Sequence, residues 1–341
     1  MENIILGSIP DYEGRPGIPA RVTAVHKQRY QILCTQGETY AQLKTREYYL
    51  DGEVFPTTGD YVMIDYIPNG DSRILSTLPR KTCFRRRDPD GGEQVVAANF
   101  DYVFLMQSLN MDFNPKRLER YLTQTYQSGA EPVVVLTKAD LVSDYGDYIR
   151  KTQQVAAGVP LHLVSTRTGA GLEELSAYLA PGKTVVFLGS SGVGKSSLVN
   201  ALAGEEVMTA GEIREEDSKG RHTTTHRQLL RLSGGVMIID TPGMRELGMW
   251  GVTAGLEDAF SDVEQYLGKC RFRDCRHESE PGCAIRQAIA AGELDAARWE
   301  SYRNLQSEAK YADDKQALLR QKQQWHKGIQ KIKKMNKKEI W

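Results

Sequence analysis

The sequence predicts a small all-β region, then an α/β domain on a mostly parallel sheet, then a helical C-terminal part. Three observations predict this order. Short alternating apolar runs broken by turn dipeptides end near Leu78, and strands alternating with amphipathic helices fill Asn99 to about Gly251. From Val252 onward the pattern is helical, interrupted once by a cluster of cysteines. A chain of 341 residues exceeds one ordinary core, so two or three domains are expected.

In the first region, 1–80, the runs are Ala20–His26, Tyr30–Cys34, Thr39–Leu43, Asp60–Ile67 and Ser72–Leu78. Gln36-Gly37, Asp51-Gly52 and Asn69-Gly70 stand between them as turns. Short strands at this spacing read as a small barrel or sandwich. A basic linker follows over 81–98; Arg80, Lys81, Arg85, Arg86 and Arg87 cluster at its start.

The central domain, 99–251, has apolar runs at Tyr102–Met106, Val133–Leu136, Leu161–Val164, Val185–Leu188 and Val236–Ile239. After the first of these, Asn114 is placed to cap a helix, Pro115 to begin it and Gly129 to end it. Leu118, Tyr121, Leu122 and Thr125 share that helix's inner face. Such βαβ alternation gives a parallel sheet covered on both sides. His226–Leu232, followed by Ser233-Gly234-Gly235, is expected to form a hairpin with Val236–Ile239, the one antiparallel strand.

The chemistry starts where Thr184–Leu188 runs into Gly189, Ser190, Ser191, Gly192, Val193, Gly194, Lys195 and Ser196. This is a full match to G-x-x-x-x-G-K-[ST], and Ser197 continues into an amphipathic helix that reaches Gly204. The glycines let the backbone curl so that successive N–H groups face phosphate, and the helix N-terminus adds partial positive charge. Lys195 is expected on the β- and γ-phosphates and the Ser196 hydroxyl on Mg2+. Downstream, Asp240-Thr241-Pro242-Gly243 ends a buried strand. Asp240 suits a magnesium-bound water, and the Gly243 N–H suits the γ-phosphate, which makes this loop a switch. Between the two lies Gly220–Thr225, where Thr224 or Thr225 is the candidate hydroxyl for a second switch.

Base choice rests on Thr137, Lys138, Ala139 and Asp140, the single match to [NT]-K-x-D. A buried carboxylate accepts from guanine's ring N–H and amine, and adenine would leave it unsatisfied. Lys138 is expected along the base plane. Thr137 replaces the commoner Asn with a shorter hydroxyl. Ser165, at the end of the next strand, is the candidate for a backbone N–H to the guanine carbonyl. Nothing after Gly243 matches the base motif, so it precedes the phosphate loop and the domain is circularly permuted. The nucleotide implied is GTP, hydrolysed to GDP and phosphate.

Cys270, Cys275, His277 and Cys283 lie within 14 residues, the ligand set of a closed structural zinc site. Three thiolates and one imidazole leave no open position for catalysis. Arg271, Phe272, Arg273 and Arg276 surround them as a basic, partly aromatic surface. Formal net charge is zero, yet Gln321–Trp341 carries seven lysines and Arg80–Arg87 forms a second basic block, and local charge of that kind suits a polyanion. Apolar residues at 40% and charged residues at 26% are ordinary for a globular protein. Without a long apolar stretch or a leader pattern, the expectation is a cytoplasmic monomer with no membrane partner.

With these motifs in this order, the chain resembles the bacterial circularly permuted GTPases of small ribosomal subunit maturation, the RsgA/YjeQ type, over nearly its whole length. The resemblance implies an OB-fold for the first region, a permuted G domain, and a helical zinc-binding domain over 252–341. It implies a GTPase stimulated by the small (30S) ribosomal subunit, with ribosomal RNA as ligand. An RNA-binding checkpoint module, whose nucleotide state only sets conformation, is the other reading. Met244 stands where many small GTPases place a water-orienting glutamine. His222, in the first switch segment, is the catalytic residue that the resemblance implies; a group from a partner is the alternative.

Overall fold

The computed structural model describes residues 6–26, 29–43, 54–87, 93–208, 228–240, 249 and 251–314. The chain divides into two compact units, one of Met1–Phe84 with Val95–Glu246 and one of Arg85–Gln94 with Leu247–Trp341. Among the described residues no helix is long and apolar enough to cross a membrane.

The first unit opens with β1 (Ile18–Val25), β2 (Tyr30–Cys34), β3 (Gly37–Leu43), β4 (Tyr61–Asp65) and β5 (Ser72–Thr77). They pair in the order β1-β2-β3-β5-β4, and β4 returns to β1, so the sheet closes into a five-stranded, OB-like barrel. Only β3 and β5 run parallel. Because side chains alternate along a strand, one face of each fills the interior: Ala20, Val22, Ile32, Val62, Ile64 and Ile74 are wholly buried. Two more strands, β6 (Cys83–Arg87) and β7 (Glu93–Ala98), pair with each other where the sequence offered only a basic linker.

Three arginines of the basic cluster are correspondingly partnered. Arg80 donates to both oxygens of the fully buried Asp60 at 2.8 and 2.6 Å, and to the Phe55 carbonyl at 3.0 Å. Its charge is consumed inside the fold, because a buried carboxylate without such a partner would be costly. Arg85 pairs with Glu93 at 3.0 Å, and Arg86 donates to Gln94 at 2.8 Å, both across the β6–β7 pair.

The α/β part follows as β8 (Tyr102–Ser108), α1 (Pro115–Ser128), β9 (Glu131–Thr137), α2 (Gly146–Val155), β10 (Leu161–Val164), β11 (Thr184–Leu188), α3 (Lys195–Ala203), β12 (Gln228–Arg231) and β13 (Met237–Asp240). Helix α1 begins and ends as its sequence requires: the Asn114 side chain accepts from the Arg117 N–H, and Gly129 takes φ 82°. Strand order is β10-β9-β8-β11-β13-β12, parallel except for β12, which is antiparallel to β13 as expected. Phe104, Met106, Val133, Val135, Val185 and Ile238 form the centre of its core.

β12 also pairs with barrel strand β1 through Ala24 and Gln228, so barrel and α/β sheet form one 11-stranded sheet. Arg21 lies wholly buried on β1. Its guanidinium donates to the Leu6 carbonyl at 3.0 Å and the Asn99 carbonyl at 2.7 Å, and stacks 4.8 Å from the Tyr61 ring centre. Burial holds its pKa below the ordinary value, against the pull of Tyr61, Asp101 and Asp60.

The second unit contains α4 (Thr253–Ala259), α5 (Ser261–Glu264), α6 (Ala284–Ala290) and a helical stretch over 296–314. Arg298 ties these together, stacking 3.9 Å over Phe260 and donating to both Asp262 oxygens at 3.1 and 3.0 Å.

Candidate functional site

In an open parallel sheet the ligand crevice lies at the carboxyl ends of the strands. Here the ends of β10, β9, β8, β11 and β13 carry, in that spatial order, Ser165, Thr137–Asp140, the 109–114 loop, the phosphate loop and Asp240. Base motif and phosphate loop thus flank one short loop.

They also touch. The Thr137 hydroxyl donates to the Val193 carbonyl at 2.7 Å and lies 3.3 Å from the Gln107 carbonyl. Lys138 donates from Nζ to the Gly192 carbonyl at 2.7 Å. Thr137 is buried, and its short hydroxyl reaches the Val193 carbonyl directly. Lys138 takes φ 58°, which turns the chain into a tight 3-10 turn, Ala139–Leu141. Ala139 is buried there, and its carbonyl accepts from the Tyr145 hydroxyl at 3.1 Å.

Asp140 is oriented by its neighbours. The Ser165 hydroxyl donates to one carboxylate oxygen at 2.6 Å, and Arg167 approaches the other at 3.8 Å. The Ser165 bond, with help from Arg167, holds the Asp140 carboxyl below its ordinary range. Ser165 does this with its hydroxyl. Its backbone N–H, expected on the base, is committed to the Ala170 carbonyl at 3.0 Å, because the 165–170 turn closes on itself.

The phosphate loop has the required backbone. Gly192 and Gly194 take φ 71° and 104°, a region that side chains resist. Gly189 is required by space: an added Cβ would lie 2.9 Å from Val193 and 3.1 Å from the Met106 carbonyl. Val193 is wholly buried, while Ser191 is exposed. Lys195 donates from Nζ to the carbonyls of Gly189 and Ser190 at 2.9 and 3.0 Å. Ser196 and Ser197 occupy the first turn of α3, which begins at Lys195. Asp240 ends β13, beside the phosphate-loop strand. His222, Thr224, Thr225 and Gly243 lie outside the described residues, as do Met244 and the lysine-rich tail.

A family model described as RsgA GTPase matches residues 77–250. A "Small ribosomal subunit biogenesis GTPase RsgA 1" from Listeria innocua serovar 6a is 49% identical over 314 residues, 91% of this chain and 90% of its own. This chain belongs to the RsgA GTPase family. A relative named RsgA 2 from Lactiplantibacillus plantarum is 41% identical over 331 residues, 91% of this chain and 93% of its own. Among solved structures, YjeQ from Thermotoga maritima superposes with TM-score 0.63 at 27% identity, covering 84% of this chain and 96% of that one. YloQ, described as a circularly permuted GTPase, shares the fold with TM-score 0.58 at 22% identity, over 88% and 98% of the two chains. As a member of that family, this chain is an enzyme of the GTPase class with the permuted strand order seen here.

The second unit of this RsgA-family chain holds the cysteine cluster by itself. Ligand atoms of Cys270, Cys275, His277 and Cys283 all lie within 4.8 Å of one another, so the group could hold a metal ion. His277 Nδ1 stands 3.4, 3.7 and 3.4 Å from the sulfurs of Cys270, Cys275 and Cys283. His277 takes φ 62°, and burial lowers its pKa, which favours the neutral imidazole a metal needs. The loop between is pinned by Glu280, whose carboxylate accepts from the N–H groups of Arg276, Glu278 and Ser279 at 2.8, 2.9 and 3.0 Å. Those bonds pull its pKa down to about 2. Phe272 is exposed, with Arg271 5.6 Å from its ring centre.

Motif reasoning passed over the 109–114 loop and Gln107. The one signal for them was position: they follow the strand between base and phosphate loops, at the sheet edge where ligands bind.

Proposed function

We propose that this chain binds GTP in one crevice between Thr137–Asp140 and Gly189–Ser197, hydrolyses it to GDP and phosphate, and assists late maturation of the small ribosomal subunit, which stimulates turnover. The direct bonding of Thr137 and Lys138 to the phosphate-loop carbonyls carries this reading. A crevice with a base-reading carboxylate at one side and a phosphate cradle at the other matches one nucleotide, despite the inverted order in the chain.

In this scheme Asp140 accepts from the guanine edge, and Lys138 lies along the base plane. The loop N–H groups and Lys195 take the phosphates, and Ser196 with Thr224 or Thr225 would hold Mg2+. Mg2+ supplies charge neutralisation on the β- and γ-phosphates. Asp240 would help to hold the Mg2+ site through a water, and Gly243 would sense the third phosphate. His222 orients the attacking water. Its removal is tested by His222→Ala: unchanged subunit-stimulated turnover and unchanged nucleotide affinity would take it out of the mechanism.

The Cys3His group takes one structural zinc. In a tetrahedral site with Zn–S near 2.3 Å and Zn–N near 2.0 Å, each sulfur would lie about 3.5 Å from the nitrogen. The observed 3.4–3.7 Å separations fit that geometry. The proposed layout is a barrel over 1–80, a segment over 81–98 that carries the β6–β7 pair, a G domain over 99–251 and a zinc-binding domain over 252–341. Ribosomal RNA is met by Arg271, Phe272, Arg273 and Arg276 around the zinc, and by the lysine tail. The relatives named for small ribosomal subunit biogenesis support the small subunit as the partner, and the proposed working state is a cytoplasmic monomer.

The test is GTP turnover by the purified chain with and without purified small subunits, together with bound metal content. Turnover that the subunits leave unchanged would end the stimulation claim. Equal affinity for adenine and guanine nucleotides would end the base assignment.

A further inference from the structure

The loop over 109–114 contains a carboxylate that no motif assigns. Asp112 accepts a hydrogen bond from the hydroxyl of Ser190, the second residue of the phosphate loop. It is itself clamped from α1: Arg117 donates from Nη1 to Oδ1 at 3.0 Å and from Nη2 to Oδ2 at 2.9 Å. The Asn110 side chain accepts from the Asp112 N–H at 2.9 Å and from the Ser108 hydroxyl at 2.7 Å, which fixes the loop's path. The buried Gln107 accepts from the Asn114 N–H at 3.1 Å, completing the anchor.

Ser190 therefore faces two ways. Its hydroxyl is held by Asp112, and its carbonyl accepts from the Lys195 ammonium at 3.0 Å. A carboxylate beside an anion-binding loop would normally oppose the ligand by charge repulsion. Arg117 offsets that charge in a bidentate pair, leaving the carboxylate free to act as an acceptor. Burial alone would push the Asp112 carboxyl up, but the bonds from Ser190 and Arg117 and the nearby charges of Arg117 and Lys138 bring it below the ordinary range. It is thus ionised at neutral pH, the state in which it is the stronger acceptor.

We propose that Asp112 is a positioning residue for the phosphate loop: by holding the Ser190 hydroxyl it fixes the Ser190 carbonyl, and through it the Lys195 ammonium that meets the phosphates. This rests on the nucleotide reading given above. The contrasting role is purely structural, an ion pair that closes the β8–α1 connection and happens to touch Ser190.

Dissociation of a fluorescent GDP analogue separates the two. Asp112→Ala and Ser190→Ala should each speed release about tenfold to a hundredfold, the range for a lost hydrogen bond to a charged group. The double variant should release no faster than the worse single one, since both remove the same contact. Asp112→Asn keeps an acceptor and should recover part of the loss, and it guards against a folding defect from an unpaired Arg117. Multiplying effects in the double variant, or a lower thermal midpoint with unchanged release, would overturn the proposal. A parent protein that binds no GDP would instead remove the nucleotide reading on which it stands.

Discussion

Replacing Thr137 by Val tests whether the two nucleotide loops work as one unit. The change keeps shape and volume and deletes one hydroxyl. That hydroxyl is buried and donates to the Val193 carbonyl at 2.7 Å, joining residues 56 apart in the chain. A neutral hydrogen bond contributes about 0.5–1.5 kcal/mol net, and a buried carbonyl left without its donor adds a penalty of about 1–3 kcal/mol. Part of this falls on folding. The rest appears on binding, because loops no longer tied together must be ordered by the ligand. If about 1–2 kcal/mol reaches the binding step, GDP affinity falls about 5- to 30-fold. Stopped-flow binding of fluorescent GDP, paired with urea unfolding of the same variant, apportions the two effects. Lower unfolding free energy with wholly unchanged GDP affinity would refute the reasoning, since the contact would then be a packing bond and not part of a shared site.

Asp140→Asn replaces an acceptor with a donor facing guanine, and competition binding should show GDP affinity reduced by at least about a hundredfold. The Ser165 bond keeps the Asp140 carboxyl below its ordinary value of 3.8. A depressed carboxyl contributes above its ordinary value and is lost as pH falls through the depressed one. GDP binding should therefore hold steady down to the ordinary range, and Ser165→Ala should move the acid limb of that profile upward. Arg21→Met strands the Asn99 carbonyl, while the Leu6 carbonyl keeps the Tyr61 hydroxyl at 3.0 Å. Urea denaturation should show a loss of about 1–3 kcal/mol; an unchanged midpoint would count against a structural role for this buried cation. Cys283→Ser should abolish bound metal and lower the helical signal of the second unit, read by metal analysis and far-UV circular dichroism; full metal content would exclude the cluster as the ligand set.

Sequence alone determined the chemistry that sits in contiguous runs. Gly189–Ser196, Thr137–Asp140 and Cys270–Cys283 are legible because the phosphate, base and metal sites proposed for them each impose spacing on adjacent residues, and the succession of the motifs fixed the permutation. The caps of α1 were legible for the same reason: Asn114, Pro115 and Gly129 act on their own neighbours. Tertiary structure decided which cations are free, which loops meet and where the barrel joins. Arg80 looks like part of a basic patch until Asp60, twenty residues away, is found beneath it. Asp112 looks like an ordinary loop acid until Ser190, 78 residues on, is found against it. The pairing of Ala24 with Gln228 has no local signature either. Contacts of this kind depend on sheet closure and register, which sum many weak burial terms over the whole core, and no short stretch of chain encodes that sum.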